Sequence, residues 1–124
     1  MSRYILYPGC FITARFPHIE AATLRVLQEL GVDSERADNF SCCPDPISSL
    51  MVDPEVWHTV AARNICIAEG RGMNMLTLCA GCNMTLHRVN SELKEDERLR
   101  DEVNRHLEAI GYRFRGVIDV RSIV

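Results

Sequence analysis

The sequence has no long apolar run, no surplus of one charge and no internal repeat, and each absence removes a class of protein. No stretch approaches the roughly 20 apolar residues of a membrane-spanning helix, and the apolar part of MSRYILYPGC is too short for a secretory signal. The net charge is -3 and the pI near 5.8, with Lys and Arg scattered among acids. No basic stripe is therefore available to a phosphate backbone, and nucleic acid is not expected as a partner. What remains is 124 residues, 47% hydrophobic and 25% charged, which is one globular domain able to bury a core without a covalent staple. The expected location is the cytoplasm, where thiols stay reduced and disulfides are not the default use of cysteine.

Cysteine is where the composition turns specific. Five of the six form one pattern: Cys10 alone, Cys42 and Cys43 adjacent, and Cys79-Ala-Gly-Cys82, with 31 residues between the first and the pair and 35 between the pair and the CxxC. Three short segments must converge if these thiols act together, which in a reduced compartment points to metal binding or redox chemistry. Four thiolates complete a tetrahedral zinc site or a cubane cluster. An adjacent pair is awkward for one metal, because successive side chains in an extended segment diverge, but it suits neighbouring iron atoms of a multi-iron cluster.

Local patterns place the cysteines. Arg3 to Tyr7 reads as a short strand ended by Pro8-Gly9, so Cys10 is expected just past its C-terminal end. From Pro17, the apolar residues Ile19, Ala22, Val26, Leu27 and Leu30 have helical spacing, and Gly31 supplies the stop. Ser34 to Asn39 is mostly polar, and Pro44 and Pro46 keep the Cys42-Cys43 pair on a loop. Asp53-Pro54 opens a helix to about Glu69. Met73 to Cys79 reads as a buried strand and Asn83 to Leu93 as a helix, so the CxxC occupies a strand-to-helix turn whose free N–H groups favour a thiolate. Glu97 to Ile110 is a further helix stopped by Gly111, and Gly116 to Val120 a last strand. The fold class this predicts is α/β: a small open, largely parallel sheet flanked by helices, with the cysteines converging at the C-terminal ends of strands.

Over essentially its whole length the chain resembles the cysteine-rich CCG domain family, and within it the N-terminal half of the B subunit of heterodisulfide reductases. The resemblance runs through Tyr7-Pro8-Gly9-Cys10, Ala14-Arg15-Phe16-Pro17 with Glu20-Ala21-Ala22, Phe40-Ser41-Cys42-Cys43, Ala61-Ala62-Arg63-Asn64, Thr77-Leu78-Cys79-Ala80-Gly81-Cys82 and Val89-Asn90. It implies that Cys10, Cys42, Cys43, Cys79 and Cys82 hold a noncubane [4Fe-4S] cluster. It further implies a share in the two-electron reduction of the mixed disulfide of coenzyme M and coenzyme B (CoM-S-S-CoB), with a second CCG module and the other reductase subunits as partners. By that comparison residues 1–124 are a single module, the first of two, and the alternating end at residues 117–124 reads as the middle of a longer subunit. Pro44 stands where the family has the glycine of its name, which removes a backbone N–H beside the pair.

Other readings of the same residues stay open at this stage. Four of the five thiols could form a structural zinc site, making the chain a docking domain of a redox complex. The CxxC alone fits a thioredoxin-like redox pair, although that leaves Cys10 and the Cys42-Cys43 pair without a use. A related electron-transfer role in a lactate- or glycolate-oxidising or respiratory complex is also compatible, and no ferredoxin-type cysteine run is present to decide it. Arg15 is the candidate for meeting a substrate carboxylate or phosphate. His18 and His87 read as surface residues, His58 and His106 have no partner in view, and Cys66, Trp57 and the methionines read as packing.

Overall fold

The computed structural model describes residues 3–9, 15–36, 39–41, 43 and 53–123. Cys10, Cys42, Pro44 and Ala14 lie outside the described residues. Four strands, β1 (Arg3–Tyr7), β2 (Asp33–Arg36), β3 (Asn74–Thr77) and β4 (Val120–Ser122), form one sheet in the order β2-β1-β3-β4, and every pair is parallel. Among the described residues four helices accompany it: α1 (Pro17–Glu29), α2 (Pro54–Gly70), α3 (Ala80–Glu95) and α4 (Glu97–Glu108). The α/β class with an open parallel sheet is as the sequence predicts.

β1 and β3 are the two inner strands. Ile5, Leu6 and Tyr7 are buried in succession, as are Met75, Leu76 and Thr77, so both faces of the sheet are covered, as a parallel sheet requires. From β1 the chain moves outward to β2, then crosses back past β1 to β3. The strand order therefore reverses between β1 and β3, and the loops leaving their C-terminal ends part to opposite sides. The position beyond the C-terminal ends of β1 and β3 is thus the switch point, the crevice at which open α/β sheets take their ligands.

The helices follow their sequence signals. Asp53 caps α2 by accepting from the Glu55 and Val56 N–H groups (3.1 and 3.4 Å), with Pro54 at the first position. Gly31, at φ +74°, ends α1 with Val32 N–H donating back to the Leu27 carbonyl. α2, α3 and α4 pack on one another around Trp57, Ile65, Leu86, Val89, Leu93, Val103, Leu107 and Phe114, all essentially fully buried. Each such side chain contributes roughly 1.5–3 kcal/mol of transfer free energy.

The structure corrects or adds to the sequence reading at four points. Asp33–Arg36, which overlaps the stretch Ser34 to Asn39 noted only as mostly polar, is an edge strand; Arg3 holds it across the ladder through Asp33 and Glu35 (2.8 Å each), and its Arg36 reaches the buried Glu20 at 2.7 Å. The last strand begins at Val120, not Gly116. Before that the backbone is matched largely by side chains: Asn104 accepts from Phe114 N–H, Glu69 from Arg115 and Val117 N–H, and Asn74 from Asp119 N–H, while the Asp119 carbonyl already takes Met75 N–H of β3. In α1 the helix is right but its apolar face is not buried, since Leu27 is covered while Ile19, Ala22, Val26 and Leu30 are exposed. His58, expected to lack partners, is buried and bridges the Pro54 carbonyl and the Glu92 carboxylate at 2.7 Å each.

Candidate metal centre

The crevice is built from the ends of β1 and β3. After Thr77 the chain runs through Leu78, whose N–H still bonds the Tyr7 carbonyl, to Cys79 in extended conformation (φ −100°, ψ 129°) at the N-cap of α3. Its carbonyl accepts the first intrahelical bond, from Asn83 N–H at 2.9 Å, and Thr77 Oγ1 donates to Asn83 Oδ1. Cys79 is half-buried and Cys82, in the first turn, is buried. The CxxC thus occupies a helix start where unpaired N–H groups favour negative sulfur.

Cys43 arrives from the loop between β2 and α2, is itself buried, and its Sγ lies 3.0 Å from Cys82 Sγ. Gly9 closes the third side. At φ +79° it turns the chain beside the CxxC so tightly that a Cβ on it would stand 3.0 Å from Cys82 Sγ and 3.8 Å from Cys79 Cβ. Three segments that are remote in sequence therefore meet, as the cysteine spacing predicts for Cys43, Cys79 and Cys82. Cys10 follows Gly9 and Cys42 precedes Cys43 in sequence, but both lie outside the described residues.

This convergence raises the Cys82 thiol far above the ordinary thiol range. The hydrogen bond with Cys43 is the largest cause, followed by burial and then by the charges of Cys43 and Cys79. Crowded, desolvated thiols cannot all ionise unless a cation joins them. An all-sulfur, buried donor set matches zinc or iron-sulfur chemistry and not calcium or magnesium. Two thiolates on one tetrahedral metal stand about 3.8 Å apart, from metal–sulfur bonds of ~2.3 Å, so Cys43 and Cys82 must separate slightly to ligate. In keeping with this, no trio of Cys, His, Asp or Glu among the described residues has metal-holding geometry.

The segment leading into the pair is tied down by residues to which sequence reasoning gave no role. Tyr7 Oη donates to the Ser41 carbonyl (2.6 Å) and its ring meets Phe40 edge-on at 5.0 Å. Asn64 Oδ1 accepts from Ser41 N–H (2.9 Å), and Arg63 Nη2 donates to the Asn39 carbonyl (3.2 Å). A signal existed: Asn64 sits at an apolar helical position between Ala61 and Ile65, where an amide must find partners. Arg15 and His18 are exposed on the α1 side, and His87 is exposed on α3. Cys66 is buried in α2, apart from the pattern, and burial followed by the charge of Glu69 pushes its thiol up to about 12. That makes it an inert packing residue, as expected.

Residues 4–87 match the family model of the cysteine-rich domain CCG. The chain belongs to the CCG family. It is 38% identical over 124 residues to the B subunit of the Ferredoxin/F420H2-dependent CoB-CoM heterodisulfide reductase of Methanosarcina acetivorans, covering all of this chain and 41% of that one. It is also 26% identical over 121 residues to the 8-methylmenaquinol:fumarate reductase membrane anchor subunit of Wolinella succinogenes, covering 98% of this chain and 42% of that one. The chain thus spans about two fifths of the length of these relatives. Among solved structures, a hypothetical protein from Helicobacter pylori shares the fold with a TM-score of 0.83 at 12% identity, over 98% of this chain and 24% of that one. As a CCG domain the chain is a cysteine-rich module, in which Cys43 lies against Cys82 at the start of α3 and Cys66 stands apart in α2.

Proposed function

We propose that this CCG chain is an iron-sulfur module of a heterodisulfide reductase B-type subunit, in which Cys10, Cys42, Cys43, Cys79 and Cys82 hold a noncubane [4Fe-4S] cluster and which takes part in reducing the CoM-S-S-CoB disulfide. The observation that carries it is the gathering of Cys43, Cys79 and Cys82 around Gly9 at the β1/β3 crevice. The similarity, along the whole of this chain, to the B subunit of a heterodisulfide reductase supports the assignment of subunit type. When bound, the cluster supplies electrons and a sulfur-binding iron. The chain's own residues gather the thiols, exclude water around Cys43 and Cys82, and present the α3 N-terminus to negative sulfur. Each turnover consumes two electrons and two protons to give two thiols, and a second CCG module with further reductase subunits delivers and shares them. The module works in the cytoplasm; among the described residues no helix is long and apolar enough to cross a membrane.

A second reading, favoured by the similarity to a fumarate reductase subunit, is an electron-transfer module of a respiratory complex that touches no disulfide. A zinc-stabilised docking domain is the third. The deciding experiment is iron, acid-labile sulfide and zinc per chain after purification and reconstitution without oxygen, followed by a heterodisulfide assay with the full subunit. About four irons and four sulfides are expected. One zinc and no sulfide after reconstitution overturns the iron reading, and a loaded cluster without disulfide turnover selects the second reading.

A further inference from the structure

Asn64 projects from α2 into the core and is fully buried, whereas Ser41, which it holds, is an exposed loop residue. Its carboxamide brackets both polar groups of Ser41's backbone: Oδ1 accepts from the N–H at 2.9 Å and from Oγ at 3.3 Å, and Nδ2 donates to the carbonyl at 3.3 Å. Tyr7, at the end of β1, adds a second donor to the same carbonyl. Ser41 as a residue is exposed, so nothing about it alone calls for three hydrogen bonds from two side chains to its backbone. A buried amide inside a helix is in turn a costly choice unless matched. What the bracket achieves lies two residues further on, where Cys43 brings its sulfur to within 3.0 Å of Cys82. With Arg63 on the Asn39 carbonyl and the Phe40 ring against Tyr7, the three residues before the pair are fixed to both β1 and α2. The chain's rotation at residue 41 is thereby set before it reaches the thiols.

We propose that Asn64 is a positioning residue for the thiol site: by clamping the Ser41 peptide against β1 and α2, it sets the approach of Cys43 to Cys82. The inference rests on the reading of Cys43 and Cys82 as members of one site, but not on which metal they hold. The described hydrogen bonds of Asn64 go to Ser41, and the adjoining Tyr7 hydroxyl is its partner in the clamp. Cys79 and Cys82 are both carried at the start of α3 and do not depend on Asn64, so they provide an internal reference.

The test uses the whole chain, reduced and freed of metal with a chelator, then oxidised with glutathione disulfide. That reagent takes two electrons and two protons from a thiol pair, leaving a protein disulfide and two glutathione thiols. Mass mapping of the products gives the ratio of the Cys43–Cys82 link to the Cys79–Cys82 link. Asn64→Leu is expected to lower that ratio about tenfold, the effect of losing roughly one well-made hydrogen-bonded clamp. Asn64→Asp, which keeps the acceptor for Ser41 N–H but loses the donor, is expected to fall between, and Tyr7→Phe to lower it less. General loosening of the fold raises both links together and leaves the ratio unchanged, so an unchanged ratio in a folded Asn64→Leu or Asn64→Asp chain overturns the proposal. Metal analysis separates this result from the function proposed above. A wild-type chain that takes zinc and no iron, with the ratio falling in the variants, keeps the positioning role and removes the iron assignment. A chain that loads four irons with the ratio unmoved does the reverse.

Discussion

Cys66 and Cys82 are both buried thiols, 5% and 6% exposed, but one belongs to the helical layer and the other to the crevice, and their surroundings differ in kind. Around Cys66 the neighbours are packing side chains of α2 and its contacts, with Glu69 the charge that acts on it most, and a neutral thiol is a comfortable small hydrophobe there. Around Cys82 stand two more sulfurs and a glycine on which a Cβ would press to 3.0 Å from its sulfur. In the helical layer, burial and then the charge of Glu69 disfavour a thiolate. In the crevice the thiols disfavour one another, and a cation removes that conflict. Burial by itself therefore does not mark a thiol as a candidate ligand; the company of other sulfurs does.

Serine substitution separates the two regions most sharply. Cys43→Ser and Cys82→Ser are expected to abolish most of the iron bound after anaerobic reconstitution, and Cys42→Ser to lower it. Cys66→Ser keeps the full iron content but places a hydroxyl in an apolar site, at a cost of about 1–3 kcal/mol in unfolding free energy. Equal iron in the Cys43, Cys82 and Cys66 variants would dissolve the distinction between crevice and core.

A smaller effect comes from a matched pair of glycines. Gly9 and Gly31 have nearly the same backbone conformation, φ +79° and +74°, yet a Cβ on Gly31 meets nothing within 4 Å while one on Gly9 meets Cys82 Sγ at 3.0 Å. Alanine at either position costs roughly 1–2 kcal/mol for the left-handed backbone. Only Gly9→Ala must also push the Cys82 sulfur aside, so it alone is expected to lower iron loading, by several-fold. Comparable loading in the two variants at matched stability would mean that the crevice tolerates displacement of its sulfur.

The same contrast explains what the sequence made legible. α2 could be read from Asp53, Pro54 and its apolar residues because a helix's signals are local. The cysteine spacing announced that three segments meet, since unusual residues at long intervals in a reduced compartment need a common use. Asp33–Arg36 could not be read, because a polar tetrapeptide becomes a strand only through its pairing with β1 and through Arg3, some thirty residues earlier. The start of β4 was misplaced for a similar reason, since 114–119 is held by side chains of Asn74, Glu69 and Asn104 that no local pattern connects to it. At the site, sequence named the sulfurs but passed over Gly9 and Asn64. Their importance lies in distances across the crevice, not in residue type.

The smallest expected effect belongs wholly to the helical layer and marks its independence from the crevice. Glu92 on α3 receives His58 Nε2 from α2 at 2.7 Å and Arg88 Nε at 2.8 Å, and Arg88 also lies over the Trp57 ring at 5.4 Å. Burial alone would raise the Glu92 carboxyl, but the hydrogen bonds from His58 and then Arg88 outweigh it and hold the group below its ordinary value. The folded chain thus binds this proton less readily than the unfolded chain. Its contribution to stability is complete above the unfolded value of about 4.3 and is lost as the pH falls through the lower folded one. The pair is partly solvated, so the contribution is about 1 kcal/mol or less. Urea midpoints measured between pH 7 and pH 3 should fall less steeply at the acid end for Glu92→Gln than for the wild type, while iron loading at pH 7 stays the same. Parallel acid limbs would show that the α2–α3 bridge carries no net stability, and a fall in iron would show that the helical layer and the crevice are coupled through α3.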